Sequence, residues 1–223
     1  MTTLRIYPVT GPPGAGKTTA LVSLERAHRR LARFAVREYG LALAEAGHPL
    51  GLKMRDVLLR GDLVADDLVQ QEFAHFLSQL PAGVEPVAVE GYPRDTAQCA
   101  DLAEAVAAAG GRLAGLIVVD VPDEVVFARV AARRICTSCG LPVPATNATC
   151  AACGGPAASR HDDALDLLNR RLRDFRTISA QVRSYFVRRR LLHVIDGPQC
   201  PDRVRGRLEA LLLADHPETG GER

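Results

Sequence analysis

Residues 11–19, Gly-Pro-Pro-Gly-Ala-Gly-Lys-Thr-Thr, constrain this chain more than any other segment. They fit the pattern G-x-x-x-x-G-K-T, in which glycines let consecutive backbone N–H groups turn inward around polyphosphate oxygens. An apolar run at 4–9 precedes the loop, and apolar residues recur at near-helical spacing after it. The segment therefore predicts an anion site at the start of a helix. Its residues are Gly14, Ala15, Gly16, Lys17, Thr18 and Thr19.

Two side chains of this loop have the chemistry of a phosphate site. Lys17 can reach the terminal phosphates of a nucleotide, and the Thr18 hydroxyl can ligate Mg²⁺. Taken alone, the loop indicates only that a polyphosphate binds here.

The rest of the chain alternates between strand and helix patterns. Four further segments look like buried strands, at 33–37, 84–90, 113–121 and 191–196. This order predicts a parallel, doubly wound α/β sheet. The stronger segments carry Glu90, Asp120 and Asp196 at or near their ends, at the edge where such sheets bind ligands. Pro8 falls inside the first strand and cannot donate a ladder hydrogen bond, so we expect a local irregularity there.

Composition excludes several classes of protein. The net charge of +2 gives no general signature of nucleic-acid binding. There is no signal-peptide core and no apolar run of membrane-spanning length. We therefore expect a cytoplasmic monomer without a membrane or nucleic-acid partner, with a disordered polar tail at 215–223.

Two cysteine pairs, Cys136/Cys139 and Cys150/Cys153, each have C-x-x-C-G spacing and lie ten residues apart. Two such pairs can complete a tetrahedral four-thiolate shell, and a cytoplasmic location favours Zn²⁺ over disulfides. A closed shell leaves no open coordination position, so the ion would be structural. A redox dithiol pair and a nucleic-acid zinc ribbon are the alternatives. The ribbon is disfavoured because residues 140–149 contain no Lys, Arg or aromatic side chain.

Taken together, these features resemble the adenylate kinase (nucleoside monophosphate kinase) family in its long-lid, zinc-containing form. The resemblance covers roughly residues 4–213. It is carried by the loop at 11–19, Glu-Gly-Tyr-Pro-Arg-Asp-Thr-Ala-Gln at 90–98, Ala-Arg-Val-Ala-Ala-Arg-Arg-Ile-Cys at 128–136, the cysteine pairs, Ser-Arg-His-Asp-Asp at 159–163 and Arg-Arg-Leu at 170–172. It implies ATP-dependent phosphoryl transfer to a nucleoside monophosphate, with Mg²⁺ and structural Zn²⁺.

The resemblance also implies a three-layer α/β/α fold with a five-stranded parallel sheet and two inserted flaps. The P-loop core would comprise residues 1–34, 81–133 and 160–214. Residues 35–80 would form the flap that binds the phosphoryl acceptor, and residues 134–159 would form the zinc-binding lid.

On the donor side, the resemblance assigns roles to five residues. Lys17 would hold the β- and γ-phosphates, and Thr18 and Thr19 would contact phosphate or Mg²⁺. Arg129 would stack on the donor adenine. Arg133 would close over the donor with the lid.

Along the transfer path, Arg133 and Arg160 match the lid arginines that close over the transferring phosphoryl group, and Arg171 matches the arginine that reaches it from the core. Asp162 and Asp163 match the acidic pair that positions these arginines. Spreading and neutralising charge in this way is what phosphoryl transfer requires of a protein.

On the acceptor side, Arg94 matches the arginine that grips the acceptor's α-phosphate, a task that suits a guanidinium fork. Gln98 matches the glutamine that reads the acceptor base. Glu90 stands where the family usually has Asp and would organise Mg²⁺ through water.

The acceptor flap departs from the family pattern. Counting back from Pro-Leu-Gly-Leu-Lys at 49–53, the family's Ser-Thr-Gly-Asp stretch becomes Ala-Val-Arg-Glu at 35–38, and its phosphate-binding arginine becomes Leu41. Val36 cannot hydrogen-bond a base, and Leu41 cannot neutralise a phosphate. We therefore expect Arg37 to supply the missing charge and the acceptor to differ from AMP.

Two alternatives stay open from the sequence. The acceptor could be a small phosphorylated or carboxylated metabolite gripped by Arg94. The chain could also be a non-catalytic ATP-binding switch or a zinc-ribbon RNA binder. Against a loss of catalysis, it keeps the cations of the transfer path, Lys17, Arg94, Arg133, Arg160 and Arg171.

Overall fold

The protein is described by a computed structural model that covers residues 3–60, 62–159 and 164–214. Its strands are β1 (Leu4–Thr10), β2 (Ala32–Ala35), β3 (Val87–Glu90), β4 (Gly111–Leu113), β5 (Leu116–Asp120), β6 (Arg134–Cys136), β7 (Pro142–Val143), β8 (Ala157–Ala158) and β9 (Leu192–Asp196). Its helices are α1 (Lys17–Ala27), α2 (Val36–Glu45), α3 (Pro49–Arg60), α4 (Asp66–Ser78), α5 (Thr96–Ala108), α6 (Asp123–Ala131), α7 (Leu165–Val187) and α8 (Pro201–Leu213). The predicted tail at 215–223 lies outside the described residues.

The central sheet follows the parallel path β2-β3-β1-β5-β9, and β4 adds a short sixth strand beside β1. One face of the sheet, including Val9 and Ile117, packs against α1, α6 and α8. The other face, including Phe34 and Val87, packs against α2 to α5. The alternation of side chains along each strand thus feeds two cores. The α/β/α layering and the five-stranded path are as predicted.

Pro8 does not interrupt β1, whose register pairs this residue with Val89 of β3. The irregularity falls on the other side of the strand. There β1 pairs with β4 through Ile6 and with β5 from Val9 onward. The predicted single strand at 113–121 is therefore two strands, and the change of neighbour brackets the residue that has no N–H to donate.

The predicted strand at 33–37 needs correction at its end. Strand β2 stops at Ala35, and Val36 is the first residue of α2. Val36 is β-branched and apolar, which favours a strand, but it is buried in the core between the sheet and the flap helices. The segment that was expected to continue the strand instead begins α2 and forms part of the wall of the cleft.

Helices α2, α3 and α4 occupy the predicted flap, and their core contains an unexpected carboxyl group. Glu72 is 0% exposed and lies on the apolar face of α4, next to Phe73. Neither carboxyl oxygen has a hydrogen-bond partner of normal geometry among the described residues. A Cβ at Gly40 would lie 3.1 Å from one oxygen and 2.7 Å from Leu58 Cδ1, so glycine at this position makes room for the buried group.

Replacing Glu72 by Gln should remove a pH dependence of stability. Burial raises the pKa of Glu72 from 4.5 to about 9, although the nearby Gly40 backbone N–H opposes the shift. Between these values the folded chain keeps a proton that the unfolded chain has lost, so the free energy of unfolding falls as pH rises. The fall should be about 1.4 kcal/mol per pH unit, or about 2.7 kcal/mol from pH 6 to pH 8.

Urea denaturation at pH 6 and pH 8 measures this effect directly. The wild type and the control Glu45→Gln, which alters an exposed carboxyl group of α2, should both show the fall. Glu72→Gln should not. An equal pH dependence in Glu72→Gln and the wild type would contradict a buried, protonated Glu72.

Strands β6, β7 and β8 form a separate antiparallel sheet in the order β7-β6-β8. Each is two or three residues long, too short to give a recognisable strand pattern in the sequence. The sheet has only a small core, in which Cys136, Val143, Cys150 and Ala157 are buried. No helix within the described ranges is both long and apolar enough to cross a membrane.

Candidate active site

The loop between β1 and α1 has the backbone of an anion cradle. Gly14 and Gly16 have φ angles of 71° and 86°, in the left-handed region that favours glycine. A Cβ at Gly14 would also lie 2.8 Å from Val130 Cγ2. Helix α1 begins immediately after Gly16, so its positive end faces the loop. The local sequence thus suffices to build this part of the site.

Lys17 is held inside the loop that it is expected to complete. Its Nζ donates hydrogen bonds to the carbonyl oxygens of Gly11 at 2.7 Å and Pro12 at 3.0 Å. Desolvation lowers the pKa of Lys17 to about 8, Glu90 opposes the shift, and Arg133 and Arg171 add to it. The ammonium group therefore sits beside two further cations, where an anion with several charges would be stabilised.

Thr18 and Glu90 meet at the edge of the sheet. The Thr18 hydroxyl donates to Glu90 Oε1 at 2.8 Å, and Arg33 Nη1 donates to Glu90 Oε2 at 2.9 Å. Arg33 was not among the residues predicted for the site, although it is a charged residue inside the otherwise apolar segment 31–36. Its guanidinium also bonds Glu38 of α2.

A cleft of about 720 Å³ opens beside this edge and brings most of the predicted site residues together. It is lined by Gly14, Ala15, Gly16, Lys17, Thr18, Thr19, Arg37, Glu90, Arg94, Arg129, Arg133 and Arg171, among others. Cations from the loop, the flap, α6 and α7 therefore face one space. Arg160, Asp162 and Asp163 lie outside the described residues.

Arg129 lines the cleft near the end of α6. Its Nη2 lies 3.4 Å from the carbonyl oxygens of both Pro198 and Gln199. These long contacts tether the guanidinium beside the loop that follows β9. Its predicted role against the donor base stays a prediction.

The structure places Gln98 differently from the expectation. Its side chain is buried and is not part of the cleft lining. Its amide oxygen accepts from the Arg94 backbone N–H at 2.7 Å, and its amide nitrogen donates to Asp66 at 2.6 Å. In this conformation Gln98 ties α5 to α4 rather than presenting its amide to a ligand.

Arg94 lines the cleft just before α5 begins. Its Nε donates to the Gly91 carbonyl at 2.8 Å, which anchors the guanidinium at the cleft wall. Burial lowers the pKa of Arg94, and the negative charge of Asp66 opposes that shift. An incoming phosphate would supply further compensating charge at this position.

On the flap side, the lining of the cleft includes Val36, Arg37 and Glu38. Arg37 Nη1 donates to the Leu58 carbonyl of α3. Leu41 is not part of the cleft lining and packs against the flap core instead. The departure seen in the sequence is therefore a departure in the cleft wall itself.

Two acidic strand ends do not contribute to the cleft. Asp120 pairs with Arg176 at 3.4 Å and Arg183 at 3.1 Å, both on α7. Asp196 accepts a hydrogen bond from Gln199 at 2.8 Å. These side chains fasten the ends of β5 and β9 to neighbouring segments, so only Glu90 of the three reaches the candidate site.

The four lid cysteines converge on one point. Their sulfur atoms all lie within 4.8 Å of one another. Cys136 and Cys153 are 3.4 Å apart, and Cys139 and Cys150 are 3.7 Å apart. A tetrahedral Zn²⁺ site with bonds of about 2.3 Å has sulfur–sulfur edges of about 3.8 Å, so the thiols fit this ion. The Cys139 backbone N–H lowers the pKa of the Cys136 thiol, whereas desolvation raises the pKa of the Cys139 thiol.

Comparison with known proteins supports one family over most of the chain. The family model for adenylate kinase matches residues 9–191. The adenylate kinase of Carboxydothermus hydrogenoformans is 30% identical, covering 88% of this chain and 94% of the relative. That of Novosphingobium aromaticivorans is 30% identical, covering 92% and 97%. That of Thermosipho melanesiensis is 33% identical, covering 87% and 92%.

Proposed function

This chain belongs to the adenylate kinase family and transfers a phosphoryl group from ATP to a nucleoside monophosphate, and we propose that its preferred acceptor is not AMP. The observation that carries the proposal is the flap wall of the cleft, where Val36, Arg37 and Glu38 stand. Val36 offers a base no hydrogen bond, and Arg37 adds a cation where the family has glycine. The phosphate loop keeps the family pattern, which supports ATP as the donor. The flap wall departs from that pattern, which supports an acceptor other than AMP.

The cations of the cleft can carry out the transfer by positioning and charge neutralisation. Lys17 would hold the terminal phosphates of ATP, while Arg133 and Arg171 would stabilise the charge on the phosphoryl group in transit. Arg94 would hold the acceptor phosphate with its planar fork. Arg160, Asp162 and Asp163, from the resemblance, are proposed to complete the set as the lid closes and excludes water.

Thr18 and Glu90 are the residues proposed to hold Mg²⁺, and a hydroxyl and a carboxylate are oxygen donors that suit this hard cation. When bound, Mg²⁺ would neutralise negative charge that develops on the ATP phosphates. The Thr18 hydroxyl donates its proton to Glu90, so its lone pairs remain available as a ligand.

We propose that Zn²⁺ holds the lid through Cys136, Cys139, Cys150 and Cys153. The short strands β6 to β8 bury too little apolar surface to fold alone, so metal binding would supply folding free energy. A cytoplasmic location, which the sequence predicts, would keep these thiols reduced.

Removing zinc should loosen the lid while leaving the P-loop core folded. Metal analysis should give about one zinc per chain. A strong chelator should expose residues 134–159 to proteolysis, because the Cys₄ shell holds this segment folded. Turnover should fall with zinc content and return when Zn²⁺ is added back. A chain that contains no zinc, or keeps a protease-resistant lid after losing it, would contradict the proposal.

Acceptor choice is tested by measuring ADP formation from Mg·ATP with a panel of ribo- and deoxynucleoside monophosphates and phosphorylated metabolites. A nucleoside monophosphate other than AMP should give the highest kcat/KM. Robust turnover with AMP alone would overturn the altered acceptor. Turnover with a metabolite alone, or none with clear ATP binding, would instead support one of the alternatives from the sequence.

Replacing Arg37 by Ala should raise the acceptor KM about ten- to hundredfold, because one charge-assisted phosphate contact is worth about 1.5–3 kcal/mol. The KM for ATP should stay within about twofold. Arg55→Ala is the matched control, because Arg55 is an exposed arginine of the same flap. Unchanged acceptor KM and kcat in Arg37→Ala would show that Arg37 does not replace the missing flap arginine.

A further inference from the structure

Arg33 occupies a position that connects the phosphate loop with the flap. Strand register pairs Arg33 with Ala88 and Ala35 with Glu90, so Arg33 and Glu90 are diagonal neighbours on one face of the sheet. On that face, α1 presents Thr18 and Glu25, which are seven residues apart and therefore share one side of the helix. The flap helix α2 contributes Glu38 from its first turn.

Three carboxyl groups surround this one guanidinium. Arg33 bonds Glu90 and Glu38, and its Nε lies 3.7 Å from Glu25. The Arg33 backbone N–H also donates to Glu25 at 3.1 Å. Its side chain is only 7% exposed. Burial alone would lower the pKa of Arg33, but the carboxylates outweigh burial and raise it.

Arg33 does not line the cleft, whereas Glu38 and Glu90 both do. Without the guanidinium, two carboxylates would face a space that receives phosphates, and like charges there are repulsive. The guanidinium also spans two parts of the molecule, because Glu90 is tied to the phosphate loop through Thr18 and Glu38 belongs to the flap.

We propose that Arg33 is a positioning residue that clamps Glu38 to Glu90, fixing the first turn of α2 relative to the phosphate loop and offsetting the negative charge that the two carboxylates present to the cleft. The proposal rests on the phosphoryl transfer described above. It assigns Arg33 a role distinct from that of Arg37, which reaches the cleft itself.

Arg33→Gln should separate positioning from a purely structural role. In the ligand-free protein, the α2 amides that donate to the carbonyl oxygens of its first turn should exchange with solvent at least tenfold faster, because the clamp to Glu90 is lost. In the folded enzyme, kcat should fall about ten- to hundredfold, and the Mg²⁺ concentration for half-maximal rate should rise. Arg33→Lys should recover part of kcat, because an ammonium can bond one carboxylate but cannot fork across two.

Arg26→Gln, which changes an exposed arginine of α1, is the control and should behave as the wild type. The double variant Arg33→Gln/Glu38→Gln should lose less kcat than the two single effects combined, since both changes break one contact. Unchanged α2 exchange, kcat and Mg²⁺ dependence in Arg33→Gln would overturn the clamp. The exchange measurement needs no substrate, so the clamp and the proposed function can fail separately. The clamp can be absent from an active kinase, and it can be present in a protein that transfers no phosphoryl group.

Discussion

Replacing Lys17 by Ala should lower kcat about a thousandfold while leaving the fold intact. The ammonium lies within the loop, bonded to the Gly11 and Pro12 carbonyls, and shares the cleft with Arg133 and Arg171. Removing one preorganised donor to developing charge costs about 10²–10³ in rate, and cations on a transferring phosphoryl reach about 10³–10⁵. Single-turnover measurements with saturating Mg·ATP should report the loss in the chemical step.

A pH profile gives the same residue a second signature. Because the pKa of Lys17 is about 8 before ATP binds, the ammonium form declines as pH rises through this value. ATP should therefore bind more weakly above about pH 8 in the wild type, and Lys17→Ala should lack that decline. Lys53→Ala, an exposed lysine of α3, should match the wild type in both experiments. A normal kcat in Lys17→Ala would show that this lysine takes no part in the phosphoryl transfer.

The parts of the site whose local geometry follows from the sequence are those that local chemistry determines. The backbone at positions 14 and 16 is left-handed, which favours glycine, and Lys17 and Thr18 follow directly. The loop, the start of the helix and these two side chains are therefore specified by one short segment. The cysteine pairs are similar, because C-x-x-C spacing brings two sulfurs together with little help from the rest of the fold. For both segments, spacing along the chain was enough.

What the sequence could not predict depends on contacts between distant segments. Gln98 bonds Asp66, 32 positions away, and this contact withdraws its amide from the cleft. Arg33 meets Glu90, 57 positions away, only because β2 pairs with β3. The end of β2 at Ala35 also depends on how α2 packs. Glu72 differs, since a lone charge on an apolar helix face was visible in the sequence and only its buried environment was not.

Replacing Arg94 by Ala should lower kcat/KM for the acceptor about a thousandfold while changing the KM for ATP by no more than about twofold. The guanidinium is anchored through Nε to Gly91, and its backbone N–H is held by Gln98. A bidentate phosphate grip comprises two charge-assisted hydrogen bonds, each worth about 1.5–3 kcal/mol, so losing both corresponds to about 3–6 kcal/mol, a range that includes the thousandfold loss. Steady-state kinetics with each substrate varied in turn measures the separation.

Arg94→Lys tests the geometry of this grip rather than its charge. Lysine keeps the positive charge but is a point donor, so the acceptor kcat/KM should fall about ten- to hundredfold, between the wild type and Arg94→Ala. Arg30→Ala removes an exposed arginine that is distant in sequence from Arg94. It should leave the kinetic constants for both substrates unchanged. If the KM values for ATP and acceptor rose together in Arg94→Ala, Arg94 would belong to the donor side, and the acceptor phosphate would have to be held by Arg37 and Arg171 instead. A selective loss on the acceptor side would place Arg94 opposite Lys17, with the transferred phosphoryl group between them.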